Sequence, residues 1–110
     1  QNFTAMFVMS DWAAVAAIKV AKESGIRIPE DLSIIGFDNL PVTDFSDPPL
    51  TTVSQNQDSI GEKSISIMLD MLDGKAGKCE KIEGEVIYRK SVAPLPQHIH
   101  YHPQLIGGKR

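Results

Sequence analysis

The chain has 110 residues, 42% of them hydrophobic and 23% charged, a size and balance that suit one globular domain or part of one and exclude a disordered tract, though the length is small for a complete doubly wound fold with a cleft. The net charge of -3 disfavours nucleic acid as a direct partner, because phosphate binding needs a basic face. The single Cys79 rules out an internal disulfide and fits a reducing compartment, no apolar run approaches the roughly 20 residues of a membrane span, and the first residues lack a secretory signal, so a soluble cytoplasmic chain with no membrane partner is expected.

Thr4 to Met9 (TAMFVM) is short, apolar and rich in large side chains, which predicts a buried strand close to the first residue. Ser10 or Asp11 can cap a helix over Trp12 to Ser24, and Gly25 is placed for its left-handed end. On that helix Val15 and Ile18 stand three apart among alanines, a pattern for close packing, while Lys19, Lys22 and Glu23 mark a wetter side. A turn over Arg27 to Asp31 leads into Leu32 to Phe37 (LSIIGF), an unbroken apolar run that predicts a parallel strand buried on both faces. The resulting strand, helix, strand crossover should be right-handed.

Asn39 to Asp47 reads as a loop with a helical turn starting near Pro41, and Pro48-Pro49 stops any helix. Leu50 to Gln55 (LTTVSQ) returns to strand chemistry. Asn56 or Asp58 then opens the longest helix, in which Ile60, Ser64, Ile67, Met68, Met71 and Leu72 recur at three and four residue steps before Gly74 ends it. After a polar loop over Lys75 to Lys81, Ile82 to Val92 has the mixed alternation of a final strand, partly at an edge. Pro94 and Pro96 break regular structure, so residues 1–95 form the folded portion and 96–110 an irregular tail, mobile from Gly107 to Arg110.

Asp38 directly follows the strand expected to be buried on both faces, and Ser10 and Asp11 follow the strand before it. In open α/β sheets ligands lie outside the carboxyl ends of the strands, which makes these three polar residues candidate ligand contacts. Asp38 has a structural alternative, a carboxylate capping the turn through backbone amides. Asp11 has one too, since an acid in a first helical turn is favoured by the helix dipole whatever the function. As an acidic pair, Asp11 and Asp38 could hold magnesium in an enzyme or phospho-receiver. That reading needs a helper lysine or a third acid, and Leu50 to Gln55 offers only Ser54 and Gln55, with no Gly-rich phosphate loop or Ser-His-Asp set elsewhere. No catalytic residue and no cofactor are therefore expected. His98, His100 and His102 alternate, so an extended chain would put three imidazoles on one side, where they could bind zinc or nickel; no carboxylate or Cys completes the set, and a solvated tail is the expectation. Cys79, beside Lys78 and Lys81, has neither a base nor a motif for catalysis.

Taken in order, Ser10-Asp11 with a helix after it, Arg27 to Asn39 (RIPEDLSIIGFDN), Pro48 to Gln55 (PPLTTVSQ), the helix from Ile60-Gly61 to Leu72-Asp73-Gly74, and Tyr88 to Pro94 (YRKSVAP) form a set. It resembles the lactose-repressor and galactose-repressor family of bacterial transcription regulators, over about residues 4 to 95. The resemblance implies part of a doubly wound, parallel-sheet α/β domain shaped like the type I periplasmic sugar-binding proteins, lacking its first two thirds. It places the first two strands in the carboxyl-terminal lobe, a crossing near Ser54 to Asn56, the long helix in the other lobe, and a return over Ile82 to Ser91.

The same resemblance implies that Asp38 accepts hydrogen bonds from effector hydroxyls or ring nitrogens, as an ionised carboxylate can for two donors. Ser10 falls where many relatives have an Asn that contacts effector, with Asp11 behind it, and Gln57 falls where some have an aromatic that stacks on a sugar ring. Val15, Ile18 and Phe45 match dimer contacts. The implied function is the effector-binding and dimerisation region of a ligand-responsive DNA-binding transcription regulator. Its partners would be a small polar effector such as a sugar, a second copy (strand-exchanged where apolar faces lie open), and operator DNA only through a module absent from this chain. A periplasmic-type sugar transport receptor is the alternative; the Pro-Glu-Asp turn and the Pro-Pro-Leu-Thr-Thr stretch favour the regulator.

Overall fold

The computed structural model describes residues 3–95, so the expectations for the 96–110 tail and for His98, His100 and His102 lie outside the described residues. In chain order the elements are β1 (Ala5–Phe7), α1 (Asp11–Glu23), β2 (Ser33–Phe37), α2 (Val42–Phe45), β3 (Thr51–Ser54), α3 (Gln57–Leu72) and β4 (Glu85–Ile87). The sheet runs β1-β2-β3-β4; the first three strands are parallel and β4 pairs antiparallel with β3. This is the α/β arrangement that the alternation of apolar runs and helical periods predicts.

Helix α1 starts from an extended Ser10 that makes no side-chain cap, and it ends at Gly25 with φ 76, a left-handed conformation that glycine adopts without penalty. Its small residues let the helix lie close to the sheet. Ala14, Ile18 and Ala21 pack with Ile28, Leu32, Ile34 and Leu50 into one buried cluster. Full burial of each large aliphatic side chain there contributes about 1.5–3 kcal/mol. Ile18, a dimer contact by the resemblance, is packed into this core at 2% exposure because its face of α1 meets β2, and its edge also lines the groove that holds Val15 and Phe45.

The opposite face of the sheet stays open. Ile34 and Gly36 are buried under α1 while Ser33, Ile35 and Phe37 are only half-buried, so β2 is not covered on both sides as its unbroken apolar run suggested. Phe7, 57% exposed, meets Phe37 edge to face at 6.1 Å on that side, beside Val86 and Tyr88. Met9 is likewise exposed rather than part of a buried strand.

Helix α3 keeps its predicted period, opening at Asn56, whose Oδ1 accepts from the Ser59 N–H at 3.4 Å, and closing at Gly74 with φ 83. None of its residues is buried, and Ile65, Met68, Leu69 and Leu72 form an exposed apolar stripe. The final strand is shorter than Ile82 to Val92. After Ile87 the chain leaves the ladder but stays tied to the sheet by backbone and side chain: Ile34 N–H donates to Ser91 O at 2.8 Å, and the fully buried Ser91 Oγ accepts from Thr51 N–H at 2.8 Å and donates to Ile34 O at 2.5 Å.

Candidate functional site

At the end of β2 the chain turns through two consecutive left-handed residues, Asp38 with φ 107 and Asn39 with φ 55. Asp and Asn tolerate this region better than other non-glycine residues, yet two in succession need outside support. The support is a hydrogen-bonded bracket. Asp38 N–H donates to Val53 O at 2.9 Å, Asn39 N–H to Thr52 Oγ1 at 3.3 Å and Leu40 N–H to Asp11 Oδ2 at 2.7 Å, while Thr52 Oγ1 donates to Asp11 Oδ1 at 2.6 Å.

Of the two readings of Asp11, this geometry gives the structural one rather than the effector contact. Its carboxylate is fully buried and both oxygens accept bonds from within the chain, so it braces the corner from behind. The approach is close enough to require glycine opposite: a Cβ on Gly36 would lie 2.3 Å from Asp11 Oδ1.

In front of the bracket, at the carboxyl ends of β2 and β3 and the start of α3, Asp38, Asn39, Ser54, Asn56, Gln57 and Asp58 line an open cleft of about 240 Å³. Gln55 Nε2 donates to Asp38 Oδ1 and so fixes the carboxylate's rotamer. The walls hold two carboxylates, three amides and a hydroxyl with no Lys or Arg, a surface suited to a ligand rich in O–H and N–H groups. Of the expected contacts the cleft unites Asp38 and Gln57. Ser10 is half-buried at the start of α1 and is not among the cleft walls.

Arg89 secures the corner from the return segment, and sequence reasoning missed it. Its Nη2 donates to Asn39 Oδ1 at 3.0 Å, its Nη1 to Leu50 O at 3.0 Å and its Nε to Asp44 Oδ1 at 2.7 Å, with only 15% of the side chain exposed. Nothing local marks it, because its partners lie 39 to 50 residues earlier. Asn39 did carry a signal, since an Asp-Asn pair after a strand is turn chemistry.

On the other side of α1, Val15 and the 85% exposed Phe45 line one groove with Lys19, Lys22 and Asp47. Among the described residues no three His, Cys, Asp or Glu side chains converge to hold a metal ion.

A sequence profile described as periplasmic binding protein-like domain matches residues 2–92. The chain belongs to that family. Within it the similar proteins are repressors of the lactose-repressor type, as the ordered motifs implied. The HTH-type transcriptional repressor CytR of Escherichia coli K12 is 44% identical over 95 residues, covering 84% of this chain and 28% of that protein. A crystal structure of the Lac repressor dimer bound to operator and an anti-inducer superposes with a TM-score of 0.76 at 31% identity, over 83% of this chain and 32% of that one. A transcriptional regulator CelR in complex with cellobiose superposes with a TM-score of 0.74 at 29% identity, over 82% of this chain and 28% of that one. The chain thus spans under a third of the length of the curated repressors it matches. In this periplasmic-binding-protein-like family member the polar cleft falls where open α/β sheets bind ligands.

Proposed function

We propose that the chain is part of the effector-binding and dimerisation domain of a cytoplasmic, non-enzymatic, ligand-responsive transcription regulator. The observation that carries the proposal is the Asp38 carboxylate, held on a strained corner by Gln55 and the Asp11 bracket and lining, with Gln57, a cleft whose walls carry no Lys or Arg. An acceptor-only group of this kind selects ligands bearing hydroxyl or N–H donors, while two carboxylates repel phosphates and acids. The effector is a small neutral polyol, a sugar or sugar derivative such as a nucleoside, and Ser10 adds a contact from the neighbouring strand end. The similarity to a regulator bound to cellobiose supports this class.

Asp38 and Gln57 stand on opposite sides of the crossing at Ser54 to Asn56, so one ligand that bonds to both favours the closed arrangement of two lobes. Closure would then bias DNA-binding modules carried elsewhere in the protein, a coupling of typically about 1–3 kcal/mol. Val15 and Phe45 form the contact with a second copy.

The test is calorimetric titration of the complete protein with cellobiose, D-ribose, cytidine, adenosine and, as an anionic comparator, glucose 6-phosphate. Binding of at least one neutral compound with rejection of the phosphate is expected. Selective binding of the phosphate would contradict the proposal, as would binding of none.

A further inference from the structure

We propose that Asn39 is a hydrogen-bond donor of the effector cleft and that Arg89 is the positioning residue that makes it one. The inference rests on the effector reading and extends it to a contact pattern. A guanidinium is donor-only, so the amide group of Asn39 must turn its oxygen to Arg89, as the 3.0 Å contact from Nη2 to Oδ1 has it. The Asn39 NH2 is then left pointing away from Arg89, on a residue that lines the cleft. Asp38 is settled in the opposite sense. Gln55 takes Oδ1, and the second carboxylate oxygen is left as an acceptor.

The corner therefore offers an acceptor and a donor side by side, each fixed by a neighbour outside the cleft walls. Such a pair reads a ligand edge with a donor next to an acceptor: two adjacent hydroxyls of a sugar, or the amino and ring-nitrogen edge of a nucleobase. The fork on Arg89 also bonds Asp44 of α2 and Leu50 O, so the guanidinium cannot rotate freely and Asn39 inherits its orientation. Because Arg89 follows β4 on the return segment, a shift of that segment reaches Asn39 through one side chain.

Asn39→Asp is the informative variant. It keeps an oxygen for Arg89 and strengthens that contact, while replacing the cleft donor with an acceptor. Titrated with cytidine and with cellobiose, the complete protein carrying Asn39→Asp should lose about tenfold or more in affinity with a melting temperature no lower than the parent's. Equal affinity would overturn the donor role. Arg89→Lys keeps the charge but not the fork. It should raise hydrogen exchange about tenfold over Asp38 to Asp44 and leave the Ile34 and Leu50 amides protected. Unchanged exchange, or a uniform rise through β2 and β3, would overturn the positioning role. Wild-type protein that binds none of cellobiose, cytidine, D-ribose and adenosine overturns the effector reading and the donor role with it, while exchange, which needs no ligand, still decides Arg89.

Discussion

Asp11 occupies the space that a side chain at position 36 would need. A Cβ on Gly36 would lie 2.3 Å from Asp11 Oδ1 and 2.9 Å from Leu50 Cδ2. Gly36→Ala should therefore destabilise the protein by about 1–3 kcal/mol, the usual range for forcing a methyl into a filled core, as read from urea midpoints. Parent-like stability would mean that Asp11 does not brace the corner from this side.

Asp11→Asn tests the same bracket through its chemistry. Both carboxylate oxygens accept, one from Leu40 N–H and one from Thr52 O–H, whereas an amide can accept at only one and would turn its NH2 toward a donor. A loss of about 1–3 kcal/mol is expected for the stranded buried donor, accompanied by weaker effector binding although residue 11 lies behind the cleft. A loss of binding with full stability would instead return Asp11 to direct contact.

The order of elements was readable because period and punctuation are local: Gly25 and Gly74 do end helices, and Pro41 does precede a helical turn. The position of Asp38 beyond β2 followed from the same local pattern. The depth of Ile18 was not readable, because two apolar residues three apart look alike whether they face a sheet or a second molecule; only the position of β2 shows that it packs into the core. The partners of Asp11, and Arg89 altogether, were not legible for another reason. Their partners lie 29 to 50 residues away, and no periodicity encodes a hydrogen bond across such a distance. The end of β4 was overdrawn because Arg89 and Ser91 alternate like strand residues while serving as anchors.

Ser91→Ala should cost more than a typical surface substitution. Its hydroxyl accepts from Thr51 N–H and donates to Ile34 O in a fully buried position, tying β2 to β3 at the end of the sheet away from the cleft. Losing it strands a buried donor, for about 1–3 kcal/mol in chemical denaturation. Effector affinity should hold, which separates this anchor from the corner.

The Arg27 and Asp31 pair predicts a response to acid. The hydrogen bonds from the Arg27 guanidinium, and next its backbone N–H, lower the Asp31 carboxyl from 3.8 to about 2 in the folded chain. A carboxyl lowered by folding stabilises fully above its unfolded value and loses that contribution as pH falls through the folded one. The stability gap between parent and Asp31→Asn should therefore be constant above about pH 4 and close toward about pH 2. Added salt should shrink it, because the pair is solvent-exposed. A gap independent of pH over that range would contradict the pairing.

The most direct measurement is calorimetric titration of Asp38→Asn in the complete protein, with the neutral compound that the parent binds, beside sedimentation to follow the dimer. Replacing the charged acceptor, with Gln55 still beside it, should remove about 1.5–3 kcal/mol, a roughly tenfold to hundredfold loss of affinity, and leave the dimer intact. Parent-like affinity would remove Asp38 from the site and, with it, the central claim that this corner reads the effector.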